Sequence, residues 1–209
     1  MPLPAPQYPV NLVLAGRRCL VVGGGGVAAH KVAGLVACGA AVHVVSPEVV
    51  PALAERADVT IERRAYRRGE VAGYRLAVAA TGEPAVNAAV LADGEEAGVW
   101  VNAADDIENC SFTLPAVVRR GPVMVAVSTG GHSPALARWL KERVSACLGP
   151  EYEVLAEMLS AERDEIRASG RSTEGLNWQK ALESDMLDLI RAGQVREAKE
   201  RLQACLSSS

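Results

Sequence analysis

The sequence predicts an α/β protein whose main part is a Rossmann-like, doubly wound parallel sheet, followed by a small α/β region and a helical C-terminal domain. Three observations support this fold class. Residues 18–103 alternate short apolar runs with helical stretches, a glycine-rich turn follows the first apolar run, and the alternation stops after residue 112. Strand, helix and strand at this spacing imply right-handed crossovers and a parallel sheet that is covered on both faces.

Five apolar runs are predicted to be the strands of this sheet, and three segments between them are predicted to be helices. The strands are residues 18–22, 41–46, 59–64, 74–81 and 99–104. The helices are residues 26–38, 48–57 and 84–98. The first helix has small and apolar residues at helical spacing and stops at Gly39, a residue type common at helix C-termini.

Beyond residue 112 the pattern changes to a hairpin and then to helices. Residues 111–121 and 122–131 meet at a Gly-Pro turn, which predicts an antiparallel pair. A helix is predicted over residues 133–148, with Ser133 as N-cap and Pro134 at its first position. From Gly149 onward the chain is predicted to be helical only. Its last helix carries one apolar stripe, made of Val195, Ala198, Leu202, Cys205 and Leu206. The predicted domains are residues 1–112, 113–149 and 150–209.

The composition argues against several classes of protein. With 209 residues, 49% of them hydrophobic and 22% charged, the chain is typical of a globular protein. A net charge of −3 gives no support to nucleic-acid binding. No apolar run reaches the ~20 residues of a membrane span, and the amino terminus lacks the basic region of a signal peptide. Five scattered cysteines without a CxxC pair argue against disulfides and a zinc site, so we expect a cytoplasmic protein without a bound metal.

Gly23, Gly25 and Ala28 form a glycine-rich fingerprint directly after a strand and at the start of a helix. The first glycine allows a tight turn, the second lets a pyrophosphate approach the backbone, and the alanine permits close packing of helix on strand. The helix N-terminus offers unpaired N–H groups to phosphates. The fingerprint therefore predicts a dinucleotide site, the alternative being a glycine-rich turn that binds no ligand.

The second half of this fingerprint, an acid about 20 residues further on that binds the ribose, is missing. The second strand ends in Val45, Ser46 and Pro47. Ser46 offers one hydrogen bond, and Glu48 is a candidate substitute for the acid. No arginine follows immediately to hold a 2′-phosphate, so NAD is favoured over NADP.

Asp105 and Asp106 follow the fifth strand in the stretch WVNAADDIENCSF, residues 100–112. Solvated loops often carry such pairs, and the residues alone favour that interpretation. A carboxylate past the carboxyl end of a parallel strand also lies where these folds bind their ligands. We expect Asp106 to be a loop acid or a helix cap.

Three stretches resemble the precorrin-2 dehydrogenase family of sirohaem synthesis. They are YPVNLVLAGRRCLVVGGGGVAAHKVAGLVACGAAVHVVSPE, VAATGEPAVN and VNAADDIENCSFTLPAVVRRGPVMVAVSTGGHSPALARWLKERV. The resemblance runs from about Tyr8 to Gly149, and beyond it the chain matches only in helical character. Because the methyltransferase part of multifunctional sirohaem synthase is absent, the chain resembles the stand-alone form.

The resemblance implies NAD-dependent oxidation of precorrin-2 to sirohydrochlorin by a homodimer, with Asp105 as the catalytic residue and residues 113–149 as the dimerisation region. The residues predicted to bind the cofactor are Gly23, Gly24, Gly25, Gly26, Val27, Ser46, Pro47, Glu48, Thr81 and Asn102. The residues predicted to bind the substrate are Ser128, Thr129, Gly130, Gly131, His132, Arg119 and Arg138. The substrate is a tetrapyrrole rimmed with carboxylates, which arginine pairs with bidentately. The alternative for Arg138 is that it neutralises a helix face.

Two other functions stay open. Some members of the family also insert ferrous iron, which would make the chain a bifunctional dehydrogenase and ferrochelatase. A regulatory domain that senses NAD needs the glycine turn but leaves two features unexplained. These are Asp105 and the basic residues between 119 and 143: Arg119, Arg120, Arg138, Lys141 and Arg143. A lone His132 is poor evidence for a metal. Cys110 without a neighbouring histidine is predicted to be a small buried residue rather than a nucleophile.

Overall fold

The structure is a computed structural model that describes residues 5–104 and 106–207. These residues form two compact units, and each is described by itself. The first contains the residues up to Leu114 together with Gly130–His132, and the second contains Pro115–Thr129 together with the residues from Ser133 onward. Across the described part of the chain, no helix has the length and apolar character needed to span a membrane.

The first unit is built on a parallel sheet of five strands, as the sequence predicts. The strands are β1 (Arg18–Val22), β2 (Ala41–Val45), β3 (Thr60–Glu62), β4 (Leu76–Ala79) and β5 (Trp100–Ala103). Their order in the sheet is β3-β2-β1-β4-β5, and every neighbouring pair is parallel. The strand order therefore reverses between β1 and β4, which is the arrangement of a dinucleotide-binding half-sheet.

Three helices connect these strands, namely α1 (Gly26–Ala37), α2 (Pro51–Ala54) and α3 (Pro84–Ala97). Neighbouring residues of one strand belong to different apolar clusters. Val21 packs in a cluster with Val32 of α1, whereas Leu20 packs in a second cluster with Val90 of α3. Because successive side chains of a strand point to opposite faces, the sheet is covered on both faces. The doubly wound α/β fold is confirmed.

Asp93 on α3 forms hydrogen bonds with the loop between β3 and β4. Its side chain is only 2% exposed. It accepts hydrogen bonds from Nε of Arg68, the backbone N–H of Gly69 and the hydroxyl of Tyr66, each at 2.7 Å. Burial alone would raise the pKa of Asp93, but these donors outweigh burial and lower the pKa from 3.8 to about 2. The carboxylate is therefore ionised in the folded protein.

Replacement of Asp93 by asparagine is expected to lower the free energy of unfolding by about 2 kcal/mol at neutral pH, because a buried charge-assisted network loses its central acceptor. Since the folded pKa is depressed, the stabilisation is present above the ordinary pKa of 3.8 and is lost as the pH falls towards 2. Urea unfolding at several pH values measures this, and the difference between parent and variant should shrink in acid. Glu95→Gln, which changes an exposed carboxylate on the same helix, is the control. Equal losses in the two variants would contradict the role of Asp93.

The second unit begins with a hairpin and one helix, both as predicted. Strands β6 (Ala116–Arg120) and β7 (Val123–Val127) are antiparallel, and α4 spans Pro134–Cys147. The Ser133 side chain accepts a hydrogen bond from the backbone N–H of Leu136 at 3.1 Å, which confirms it as the N-cap. Arg120 ties the hairpin to the other end of α4. Its guanidinium donates to the backbone oxygen of Leu148 at 2.7 Å and to the hydroxyl of Ser145 at 3.0 Å.

The C-terminal part of this unit contains helices and the loops between them within its described residues, as the sequence predicts. Its helices are α5 (Glu151–Ala168), α6 (Trp178–Leu182), α7 (Met186–Arg191) and α8 (Val195–Ser207). Four residues of the predicted stripe on α8 are buried in one apolar cluster: Ala198, Leu202, Cys205 and Leu206. The fifth, Val195, is 44% exposed, so its inclusion in the stripe was wrong. Val195 is the first residue of α8 and lines a surface groove beside Val154 and Met158 instead of entering the core.

Candidate active site

One edge of the sheet in the first unit gathers most of the predicted cofactor residues. All five strands are parallel, so their carboxyl ends lie at the same edge. The loops after β1, β2, β4 and β5 all leave from it. In open α/β sheets, ligands bind outside the carboxyl ends of the strands at the point where the strand order reverses. In this unit that point lies between β1 and β4.

Gly23 begins the glycine turn and lies close to the residues that end β2 and follow β4. Its φ of +123° lies in a region that side chains disfavour. A Cβ atom there would lie 2.3 Å from the backbone oxygen of Ala80. The N–H of Gly23 donates to the oxygen of Val45 at 2.9 Å. Gly23 therefore forms the tight turn that the fingerprint predicts. The turn lies where the ends of β1, β2 and β4 come together.

Gly24 is required by the loop after β2. A Cβ atom at Gly24 would lie 1.9 Å from the backbone oxygen of Glu48 and 2.8 Å from Oγ of Ser46. The oxygen of Gly24 also accepts a hydrogen bond from the N–H of Val50 at 2.9 Å. The fingerprint assigns no role to this position, and the structure shows that it permits two loops to touch.

Gly25 and Gly26, by contrast, face open space. A Cβ atom at either residue would meet no atom of the described chain within 4 Å. Gly25 is the N-cap of α1 and has no side chain to satisfy the first N–H groups of that helix. Val27, the next residue, is 47% exposed. The start of α1 therefore offers backbone donors and room for a pyrophosphate, whose negative charge suits a helix N-terminus.

Ser46 and Glu48, the two candidates for binding the ribose, both lie in the loop after β2, but their surroundings differ. Ser46 is buried, and its hydroxyl donates to the backbone oxygen of Glu48 at 2.6 Å. Its proton is therefore used to hold the loop. The side chains of Pro47 and Glu48 are exposed. Of the two candidates, Glu48 is the residue whose side chain faces solvent.

Thr81 follows β4 and bonds to residues at the start of α3. Its hydroxyl accepts from the N–H of Glu83 at 3.2 Å and lies 2.7 Å from Oδ1 of Asn87, to which it donates. Thr81 is partly exposed, so one side of the residue is available to a ligand at this edge.

The end of β5 carries the predicted catalytic stretch. Asp105 lies outside the described residues. On one side of it, the N–H of Ala104 donates to the oxygen of Ala79 at 2.8 Å and so continues the sheet. On the other side, Asp106 precedes a 3-10 turn, and its carboxylate accepts from Nδ2 of Asn109 at 2.5 Å. Asp106 is thus a loop acid, one of the two roles expected of it; it occupies the N-cap position, but its side chain makes no capping hydrogen bond.

Asn102 and Cys110 are packed against each other beneath this loop. Asn102 is buried, and its Nδ2 donates to the oxygen of Phe112 at 3.0 Å. Burial raises the pKa of the Cys110 thiol, and hydrogen bonding from the backbone of Ala103 offsets this only in part. A thiol with a raised pKa is a poor nucleophile at neutral pH, which agrees with the sequence interpretation. Among the described residues, no group of three His, Cys, Asp or Glu side chains is placed to hold a metal.

The predicted substrate residues are divided between the two units. Gly130, Gly131 and His132 group with the first unit, with positive φ at both glycines and an exposed histidine. In the second unit, Oγ1 of Thr129 accepts from the N–H of Ser133 at 3.1 Å. The other members of this set in the second unit are exposed: Ser128 after β7, Arg119 on β6 and Arg138 on α4.

Sequence comparison identifies the first unit. Residues 10–116 match a family described as "Putative NAD(P)-binding". The chain belongs to this NAD(P)-binding family. Residues 120–146 match a second family, described as "Sirohaem biosynthesis protein central". The two matches cover the glycine turn, the end of β5, β7 and most of α4.

The chain is also similar to longer relatives and to a solved structure. The chain is 38% identical over 201 residues to a sirohaem synthase of Chromobacterium violaceum, covering 94% of this chain and 43% of that protein. It is 39% identical over 206 residues to a sirohaem synthase of Nitrosococcus oceani, covering 96% of this chain and 44% of that protein. The chain therefore spans less than half the length of these relatives. A solved structure of SirC, precorrin-2 dehydrogenase, matches with a TM-score of 0.69 and 29% identity, covering 95% of this chain and 98% of that one. The resemblance drawn from the sequence is confirmed.

Proposed function

We propose that this NAD(P)-binding chain oxidises precorrin-2 to sirohydrochlorin with NAD. The observation that carries the proposal lies within one unit. The open glycine turn at Gly25 and the end of β5 lie at the same edge of one parallel sheet. The likeness to a solved precorrin-2 dehydrogenase over 95% of the chain supports this chemistry.

The reaction removes a hydride from one carbon of the substrate and a proton from a neighbouring position. NAD, when bound, supplies the hydride acceptor. The chain contributes the phosphate site at the start of α1 and the exposed Glu48 as ribose partner. Asp105 is proposed as the base that takes the proton, because it follows β5 at the ligand edge of the sheet.

The substrate carboxylates require cations and N–H donors. We propose Arg119 and Arg138 as carboxylate partners, since both side chains are exposed and arginine binds carboxylates bidentately. The turn of Ser128–His132 is proposed as a further contact. Both glycines of this turn have a positive φ, and His132 is exposed. We propose a cytoplasmic location, because none of the five cysteines forms a disulfide within the described residues.

The test of this function is product analysis under anaerobic conditions. The purified chain is incubated with precorrin-2 and NAD, and then with ferrous iron. Sirohydrochlorin as the end product supports the proposal. Sirohaem formation adds the ferrochelatase activity to it. If neither forms while NAD still binds, the dehydrogenase proposal is wrong and an NAD-sensing domain takes its place.

NAD is expected to be turned over at least about tenfold more efficiently than NADP, measured as kcat/KM. Residues 46–50 after β2 include no cation for a 2′-phosphate, and the exposed Glu48 repels one. Comparable turnover with the two cofactors at equal concentration would contradict this expectation. The variant Arg63→Ala, which removes an exposed cation directly after β3, would then show whether that residue holds the 2′-phosphate.

We further propose a homodimer formed through residues 113–149. No residue of α4 is buried, and Leu136 and Trp139 on this helix are 46% and 52% exposed. The β6–β7 hairpin beneath it is too small to be stable alone, since isolated hairpins are marginal in water. A second copy that covers α4 would bury these side chains.

Trp139→Glu is expected to weaken the dimer at least about 100-fold, because a central aromatic residue of an interface is replaced by a charge. Light scattering at micromolar concentration measures the change in mass. The control is Leu182→Glu, which places the same charge at a residue that is 51% exposed on α6. A monomeric parent, or a Trp139 variant that stays dimeric, would show that α4 is not the interface.

A further inference from the structure

The chain turns back along β5 after the predicted catalytic stretch and is attached to it by side chains. β5 lies at the edge of the sheet, so within the described residues its outer N–H and C=O groups face no further strand. Ser111 supplies partners for them. Its hydroxyl accepts from the N–H of Val101 at 2.7 Å, and its own N–H donates to the oxygen of Val101 at 2.8 Å. The segment that contains Asp105 therefore leaves from and returns to the same strand.

The side chain of Cys110 contacts residues on both sides of position 105 in this segment. Its sulfur lies 3.1 Å from the backbone nitrogen of Ala103, which donates to it, and 3.4 Å from Nδ2 of Asn102. The thiol has two acceptors within reach, the backbone oxygens of Ala103 and Asp106, each at 3.2 Å. Ala103 and Asp106 stand on the two sides of residue 105 along the chain. One half-buried side chain thus contacts the backbone before and after Asp105.

We propose that Cys110 is a positioning residue for Asp105, which holds the chain on both sides of the catalytic acid at a fixed separation. The inference rests on the proposed function, in which Asp105 is the base. The thiol serves as acceptor and donor at once, whereas an alanine at this position serves as neither. A charged thiolate would lose the donor, and the burial that raises the pKa of Cys110 keeps the thiol protonated at neutral pH.

The test compares Cys110→Ala, Cys110→Ser and the control Cys147→Ala, which changes an exposed cysteine at the end of α4. Cys110→Ala is expected to lower kcat by about 10–100-fold, since a displacement of about 1 Å at a reacting group has effects of this size. Its KM for precorrin-2 and its affinity for NAD should change little. The pH dependence of kcat should shift, because the surroundings of the base have changed. Serine, which can both donate and accept, should restore part of kcat, and Cys147→Ala should behave as the parent.

Amide hydrogen exchange over residues 104–109 separates this inference from the proposed function, because it needs no turnover. Exchange should be faster in Cys110→Ala than in the parent. If the parent does not oxidise precorrin-2, the proposed function is wrong, whatever the hydrogen-exchange rates are. Unchanged exchange overturns the inference, as does faster exchange with an unchanged kcat and pH profile. In an Asp105→Ala background, Cys110→Ala should lower kcat no further, and a full additional loss would also overturn the inference.

Discussion

Asp105→Ala is expected to lower kcat for precorrin-2 oxidation on the order of 10²–10⁴-fold, the usual effect of removing a positioned base. The fold should survive, because Asp105 comes after the end of β5 in the sequence and its replacement removes no apolar side chain. NAD binding, followed by calorimetry, should be nearly unchanged, since the glycine turn lies after a different strand. The measurement is turnover of the variant beside the parent at saturating NAD.

Asp106→Ala is the matched control, because it removes the same chemical group one residue further on. The Asp106 carboxylate is bonded to Nδ2 of Asn109 at 2.5 Å, so its role is in the turn of the loop. Its replacement should lower kcat by less than about tenfold. If Asp105→Ala turns over as fast as the parent, the two acids are both ordinary loop residues and the base lies elsewhere.

Gly25→Val is expected to weaken NAD binding at least about 100-fold while lowering the free energy of unfolding by only about 1 kcal/mol, because valine is a poorer N-cap residue than glycine. A Cβ atom at Gly25 meets no atom of the described chain within 4 Å, and its φ of −81° suits any residue. A valine side chain would therefore occupy open space, where we propose that the pyrophosphate of NAD binds. A bulky side chain at this glycine blocks the approach of a pyrophosphate to the backbone.

The control for this variant is Gly34→Ala on α1. A Cβ atom at Gly34 would also have open space around it, but this residue lies in the interior of the helix, away from the turn. The alanine should leave NAD affinity as it is and stabilise the helix by about 0.5–1 kcal/mol. Calorimetric titration with NAD measures both variants. Unchanged affinity in Gly25→Val would mean that the pyrophosphate does not bind at this turn.

Much of the fold follows from local sequence signals. Buried parallel strands are continuous apolar runs, so β1, β2 and β5 differ from their predicted bounds by two residues or fewer. The start of α4 was equally clear, because Ser133 and Pro134 form a known N-terminal signal. β3 is shorter than predicted, since the backbone N–H of Arg64 bonds back to the oxygen of Glu62 at 3.1 Å instead of pairing with a neighbouring strand.

The features of the site that the sequence did not predict are contacts between separate segments of the chain. The fingerprint names Gly23, Gly25 and Ala28 by their spacing, but the need for Gly24 arises from the path of the loop at Glu48. In the same way, Cys110 and Ser111 bond to the backbone of β5 across seven to ten residues. Such side-chain contacts to backbone have no periodicity, and so no pattern in the sequence predicts them.

The most direct test of the central proposal is the stoichiometry of NADH and sirohydrochlorin formed from precorrin-2 by the parent chain without oxygen or added metal. Hydride transfer to NAD requires one NADH for each sirohydrochlorin. We expect this ratio of one to one in the parent, and neither product above background in Gly25→Val at low NAD. Sirohydrochlorin formed without NADH, or no turnover by a folded parent that binds NAD, would contradict the proposal.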